Sequence, residues 1–295
     1  MKITYDISEL IPYINWPYFF FAWQVKDQAE KERLRKEADA LLIELEGKYH
    51  AYGLFELYDA NADGDDIVIF RGKGLVDSGE RIPCLRQQQG KPPYLCLADF
   101  ISPQNKSLTP HPIPEQSSPT HSLSPLTPNP LPLTTRIGVF ATSVDIGMET
   151  DFEADPYQKM MAQLLADRLA EAAAERTHEQ VRKVYWGYAK DENLTMADML
   201  VEKFQGIRPA IGYPSLPDTS LNFVLDELLD MKQIGIRLTE SGAMKPHASV
   251  SGLMFAHPQA RYFDLGKIGE DQLHDYARRR GLPVEMCRKF LAANL

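Results

Sequence analysis

The order of the elements read along the chain predicts an α+β fold. Strand-like runs and long helical stretches come in blocks, without the regular strand–helix–strand alternation that builds a doubly wound parallel sheet. The strand runs are short and alternating, and turn residues join them, as in antiparallel pairs. The chain has 295 residues, 44% hydrophobic and 25% charged, which is enough for a substantial core.

Residues 27–46 are rich in Glu, Lys, Arg, Ala and Leu, with leucines at helical spacing, and predict an amphipathic helix. GLFELYDA and DDIVIFRG follow, separated by a turn, and predict two antiparallel strands. YLCLADFI at 94–101 and IGVFATSV at 137–144 both read as core strands. Between them, residues 102–134 are dominated by Pro, Ser and Thr and carry almost no charge. No apolar period runs through that stretch, so it reads as a disordered insertion bulging between two strands, with an interdomain linker as the rival. Such an excursion adds little loop-closure entropy. The longest helix is predicted over 156–184, opened by Asp155 as N-cap and Pro156 at the first position. Its apolar stripe is Leu164, Leu165, Leu169, Ala172 and Ala173. Further helices are predicted at 195–204, at 220–234 ending on Gly235, and at about 270–280 ending on Gly281 behind three arginines.

The formal charge of −9 argues against nucleic acid or an anionic membrane surface as a partner. Cys84, Cys96 and Cys287 are an odd number without metal-ligand spacing, which suits a reducing cytoplasm. No secretory leader pattern opens the chain, and the apolar run at 17–23 is far too short to span a bilayer.

Few motifs suggest chemistry. In DANADGDD, Asp59, Asn61, Asp63, Gly64 and Asp65 match the first ligand positions of a calcium loop, but Phe70 stands where a bidentate Glu belongs. A hairpin turn is the plainer reading. Asp167 and Glu171, four apart, share a helix face and could hold a cation, or simply face solvent. In RPAIGYP, Arg208 offers a fork for a carboxylate. Pro209 and Pro214 stiffen the loop, Gly212 admits a ligand close to the backbone, and Tyr213 adds an aromatic face with a polar tip. The alternative is a rigid turn with a surface arginine. Tyr262 and Phe263 follow in a run of small residues and prolines; alternation would bury one ring and expose the other, and the plainer reading puts both in the core. There is no phosphate loop, dinucleotide fingerprint, nucleophile elbow or clustered His/Cys spacing. The residues suggest a recognition pocket for a small anionic or zwitterionic molecule, with no evident catalytic group.

Ordered matches along nearly the whole chain give it a family. ISELIPYINWPYFFFAW, NADGDDIVIF, LRQQ, CLADFI, IGVFA, LADRLAEAAAERTHEQVRKVYWGYA and QGIRPAIGYP resemble the activation domain of cobalamin-dependent methionine synthase. The resemblance implies one C-shaped α+β domain with a twisted antiparallel sheet, flanking helices and a shallow groove for S-adenosylmethionine. It implies a role in methionine biosynthesis, as part of a methyltransferase that is inactive alone. Inactive cob(II)alamin on a partner is restored by an electron from a flavodoxin-like donor and a methyl group from S-adenosylmethionine. Catalysis is then positioning of the donor, which explains the missing acid or base.

Carried over by position, the resemblance puts Arg208 on the ligand carboxylate and the backbone of Ala210 and Gly212 against the ligand. Tyr213 lies near the sulfonium and corrin, Glu171 at the positive end of the ligand, and Tyr262 and Phe263 on the adenosine side. Asp167 faces the partner's cobalamin module. Asn15 stands where the family has Asp, Thr219 where it has His, and AMKPHA at 243–248 replaces its Ala-Met-Trp-Pro-Gly-Ala. These changes bear more on the docking of the partner than on the adenosyl pocket. With no homocysteine, folate or cobalamin module in the sequence, the expectation is a stand-alone cytoplasmic subunit. It would act in trans on a methionine synthase that lacks its own activation domain, with Arg278, Arg279 and Arg280 as a candidate basic patch for the electron donor. The alternatives are an S-adenosylmethionine-binding module for another corrinoid protein, a sensor without methyl transfer, and a scaffold with a decayed pocket.

Overall fold

A computed structural model describes residues 1–71, 79–103 and 135–295. From residue 104 onward, the predicted insertion lies outside them. In chain order the described residues form β1 (Lys2–Tyr5), α1 (Ile7–Leu10), α2 (Trp16–Ala22), α3 (Gln28–Leu45), β2 (Ala51–Asp63), β3 (Asp66–Phe70), β4 (Glu80–Pro83), β5 (Arg136–Val144), α4 (Gly147–Thr150), α5 (Pro156–Gln180), α6 (Met196–Leu200), α7 (Leu221–Leu229), β6 (Arg237–Leu238), β7 (Met244–Lys245), β8 (Ser249–Met254), α8 (Glu270–Arg280) and α9 (Val284–Phe290).

The main sheet is antiparallel, in the order β4-β3-β2-β5-β8, and curls into a half-barrel with flanking helices. β2 organises it. One of its edges pairs with β5 from Ala51 to Asp59, while the other carries β1 at its start and β3 at its end. β2 and β3 meet as a hairpin with Asp63 opposite Asp66, and Gly64 takes a φ of +63° in the turn. The DANADGDD stretch is therefore a strand–turn–strand, not the helix-flanked loop that calcium would need.

Central strand β5 is buried on both faces, and its side chains alternate between two layers. Ile137, Val139 and Ala141 enter a core shared with Leu253 and with Leu221 and Leu225 of α7. Phe140 and Val144 point the other way, toward Ala174 and Leu165 of α5. Buried hydroxyls pin both layers: Thr142 Oγ1 donates to the Ala170 carbonyl at 2.9 Å, and Ser143 Oγ to the Ile234 carbonyl at 2.6 Å.

α5 begins as predicted. Asp155 accepts hydrogen bonds from the backbone of Tyr157 and Gln158, and Pro156 fills the first position. Leu165, Leu169, Ala172 and Ala173 are buried, whereas Leu164 is only partly so. The helix lies close to the sheet because β2 offers no side chain at Gly53, where a Cβ would come within 2.4 Å of Thr177 Oγ1. After Gln180 it widens into a π turn over Val181–Tyr185.

Three predicted elements differ. Residues 94–101 are not a strand: Leu97–Phe100 make a 3-10 turn, and the N–H of Cys96 just before it donates to Asp99 Oδ2 at 2.9 Å. The local side-chain cap wins over the apolar pattern. The helix expected over 220–234 breaks at Asp230, which adopts a left-handed φ of +53° before a short 3-10 turn closed by Gly235. The helix expected over 195–204 is shortened to α6. α2 and α9 were not foreseen. No helix among the described residues is long and apolar enough to cross a membrane.

Candidate functional site

The RPAIGYP segment is held as an extra, irregular edge strand. Ile207 and Phe255 exchange backbone hydrogen bonds of 3.0 and 2.9 Å, Leu253 N–H donates to the Pro209 carbonyl at 3.1 Å, and Ile211 N–H to the Ser251 carbonyl at 2.9 Å. Pro209 has no N–H to waste there. This approach requires Gly252, since a Cβ at that position would lie 2.2 Å from the Pro209 oxygen.

A groove of about 620 Å³ opens between this segment and α5. α5 contributes Arg168, Glu171 and Glu175 at helical spacing, and the stretch after α6 contributes Glu202. Arg208, Ala210 and Tyr213 form one wall, Tyr262 and Phe263 another, and Asn15 with Tyr13 and Tyr18 closes the N-terminal side. Seven of the nine residues singled out in the sequence thus meet: Asn15, Glu171, Arg208, Ala210, Tyr213, Tyr262 and Phe263. Gly212 does not line the groove. Its N–H donates to the Leu216 carbonyl at 2.8 Å with φ at +87°, so its backbone freedom serves a turn. Asp167 lies off the groove as well. Burial raises its carboxyl pKa, offset by the charges of Arg168 and His247. Tyr262 and Phe263 are both partly buried, because no strand imposes alternation there.

Arg208 is already paired. Its Nη1 and Nη2 donate to the two oxygens of Glu175 at 3.0 and 2.5 Å, and its backbone N–H donates to the Tyr262 hydroxyl at 2.9 Å. Burial works against the guanidinium charge, but the Glu175 carboxylate outweighs it and the pKa is raised. The pair uses one N–H on each terminal nitrogen, leaving three of the fork's five donors, Nε–H among them. Across the groove mouth, the Tyr213 hydroxyl donates to Glu171 at 3.0 Å, and burial together with that carboxylate pushes the phenol up to about 12. Asn15 Oδ1 is shielded from solvent without a hydrogen-bond partner. Glu202 sits at a left-handed φ of +58°, a strained setting for a side-chain-bearing residue. Its carboxyl pKa is raised by burial and by Glu175, against the pull of Arg208.

Behind the groove, Phe204 is wedged between cations and an imidazole. The fully buried Arg182 lies 4.2 Å from its ring centre and is held by Glu192, with Nη2 at 2.6 Å from the carboxylate. His178 meets the same ring edge-on at 5.0 Å. Burial, then Arg182 and Arg208, holds His178 neutral.

Glu175, Glu202 and Tyr18 were not singled out in the sequence. Glu175 lies one helical turn beyond Glu171, so extending the paired-carboxylate face by four would have found it. The basic patch expected at the end of α8 is largely consumed. Arg279 bonds Asp66 and Asp275, and Arg280 lies 3.4 Å from Asp218, leaving Arg278 as the exposed member of the three. Among the described residues no group of three or more His, Cys, Asp or Glu could hold a metal ion.

The family model for the vitamin B12-dependent methionine synthase activation domain matches residues 6–281. The chain belongs to this family. It is also similar to a solved structure, the MetH reactivation domain bound to AdoHcy, at 37% identity and a TM-score of 0.86 over 100% of this chain and 90% of that one. As a methionine synthase activation domain, it shares the α+β half-barrel of that structure, and Arg208, Asn15 and the Tyr213–Glu171 pair all face one groove of it.

Proposed function

We propose that this activation domain binds S-adenosylmethionine in the groove and presents its methyl group to cob(II)alamin on a partner methionine synthase acting in trans, with the electron supplied by a flavodoxin-like donor. One observation carries the reading: Arg208 keeps donors free in the same groove in which Asn15 Oδ1 lacks a partner. A zwitterionic amino-acid end fits both, with its carboxylate on the remaining N–H groups of Arg208 and its ammonium on Asn15 Oδ1. Tyr262 and Phe263 offer ring surface to an adenosine moiety. Glu171, oriented by the Tyr213 hydroxyl, holds negative charge at the mouth for a sulfonium. Asp167, outside the groove, is assigned to the contact with the partner's cobalamin module. The bound form of the structural neighbour supports a ligand of this class. Reduced cobalamin, when docked, would supply the nucleophile, while the residues of this chain bind and orient the donor and need no acid or base.

Calorimetry with S-adenosylmethionine tests the pocket. Arg208→Ala should lower affinity by about two orders of magnitude, the cost of removing one partner of a partly buried charge pair. Wild-type affinity in that variant would sink the assignment. Reductive methylation of a cob(II)alamin-bearing methionine synthase, with and without added protein, tests the trans role. Ligand binding without any gain in methylation would leave a sensor, or service to another corrinoid protein.

A further inference from the structure

A second cavity, of about 430 Å³, lies among β4, α7, α8 and α9 and shares no lining residue with the groove. That volume is in the range of small-molecule sites. Its apolar walls are Phe223 of α7 with Met286 and Phe290 of α9, and Phe223 and Met286 are left 39% and 43% exposed. Three arginines line it, and two are used up. Arg279 donates from all three guanidinium nitrogens, to Asp275, Asp66 and the Cys84 carbonyl, and Arg81 from both terminal nitrogens, to Asp66 and Asp63. Arg280 differs. Its Nη2 donates to Ser220 Oγ at 2.8 Å and its Nε lies 3.4 Å from Asp218, but Nη1 has no partner among the described residues. With only 9% of its side chain exposed, Arg280 is a buried cation that lines the cavity with donors unfilled. Glu227 and Glu240 line the same cavity at exposed positions, and neither forms an ion pair among the described residues.

We propose that this cavity is a second ligand site, for a zwitterion with an apolar body: an apolar amino acid, or a dipeptide of such residues. The ligand carboxylate takes the free Nη1 of Arg280, its ammonium goes to Glu227 and Glu240, and its side chain covers Phe223, Met286 and Phe290. The charges decide the class. An anion alone would be repelled by the two glutamates, and a cation alone would leave the Arg280 donors unfilled in a partly buried place. A zwitterion meets both signs with charge-assisted hydrogen bonds and leaves the net charge of the cavity unchanged. The apolar body gains by removing ring and thioether surface from water. Because the groove contributes no residue, the site does not depend on the function proposed above.

Titration calorimetry of the wild-type protein with L-leucine and L-methionine, with excess S-adenosylhomocysteine present to occupy the groove, provides the test. Each amino acid should bind at a single site. L-leucinamide, which lacks the carboxylate, and N-acetyl-L-leucine, which lacks the ammonium, should each bind about tenfold more weakly, the loss of one hydrogen bond to a charged group. Tighter binding of L-leucyl-L-leucine than of either amino acid would assign the site to dipeptides. Glu227→Gln and Glu240→Gln, at exposed positions that a substitution should not unfold, should each weaken L-leucine severalfold and leave S-adenosylmethionine affinity unchanged. Arg280→Gln should abolish L-leucine binding; if loss of the Asp218 ion pair unfolds that variant, the glutamate variants and the two analogues still decide. The proposal is overturned if no amino acid binds, if the amide and the acetylated form bind as well as L-leucine, or if binding competes with S-adenosylhomocysteine. Failure of S-adenosylhomocysteine itself to bind would count against the function proposed above and not against this site, which the glutamate variants identify.

Discussion

Two clusters of arginine and carboxylate sit at different places in this fold, and they are finished to different degrees. Beside α8 the carboxylates are saturated, and among the described residues the one buried orphan there is Arg280 Nε, which has no hydrogen-bond partner but lies within ion-pair distance of Asp218. Asp218, 1% exposed, accepts from the backbone and hydroxyl of Ser220 at 2.8 and 2.6 Å and from the Tyr276 hydroxyl at 2.7 Å, with Arg280 Nε 3.4 Å away. Asp66 takes Arg279 and Arg81, and Arg279 also donates to the Cys84 carbonyl at 3.0 Å. At the groove the pairing is incomplete: Arg208 has donors to spare, Asn15 Oδ1 has no acceptance filled, and Glu202 is strained and electrostatically crowded. Saturated clusters fix chain segments against one another, and unsaturated ones hold free energy that a ligand can release. The same residue types thus anchor the fold in one place and recognise in the other.

The largest expected effect breaks the anchoring cluster. Asp218→Ala leaves Arg280, with only 9% of its side chain exposed, without its ion. Stability should fall by about 3–5 kcal/mol, read by chemical denaturation, while ligand affinity of the folded fraction stays close to wild type. Next is Gly252→Ala, which tests whether the groove wall depends on the close approach of residues 207–211. The added methyl meets the Pro209 carbonyl, so stability should fall by about 1–3 kcal/mol. Ligand affinity should fall with it, because the displaced segment carries Arg208. If the substitution were silent in both assays, the rigid wall would be disproved.

How far the sequence led follows the same division. Local signals carried through. Asp155-Pro156 opened α5, the Asn/Asp/Gly turn made a hairpin, and Gly281 closed α8 at a φ of +65°. Each depends on residues within a few positions of one another. The groove walls were also legible, because Arg208, Tyr213 and Glu171 lie in recognisable stretches. What the sequence could not show was pairing across the fold. Glu175 and Arg208 are 33 residues apart, and in an Ala-rich helix Glu175 reads as one more solvated carboxylate. Gly212's place in a turn beside the groove was not legible either, because a glycine that frees a turn and a glycine that admits a ligand look alike in one dimension. Arg279 and Arg280 read as part of an available basic patch because their acidic partners, Asp66 and Asp218, come from distant parts of the chain.

A smaller effect separates helix stability from site chemistry. Asp155→Ala removes the N-cap of α5 and should cost about 1 kcal/mol by thermal or chemical unfolding. Glu171 and Glu175 lie four turns or more further along the helix, so ligand affinity should not move. A loss of binding would mean that fraying at the start of α5 reaches the groove, and the two regions would not be independent.

The smallest expected effect concerns the one arginine of the α8 run that neither cluster uses up. The Arg278 side chain is 73% exposed, and its partner Asp275, three residues back, is 45% exposed. Such a surface pair contributes little, and Arg278→Ala should change stability by less than about 0.5 kcal/mol. Its value lies in the electron-transfer assay. With Arg279 and Arg280 bound to internal carboxylates, Arg278 alone would present charge to an acidic donor, and one screened charge has little steering power at physiological salt. Reactivation driven by a flavodoxin-like donor should therefore proceed within about twofold of the wild-type rate. A much larger loss, relieved at high donor concentration, would show that the α8 end recognises a partner as well as anchoring the fold.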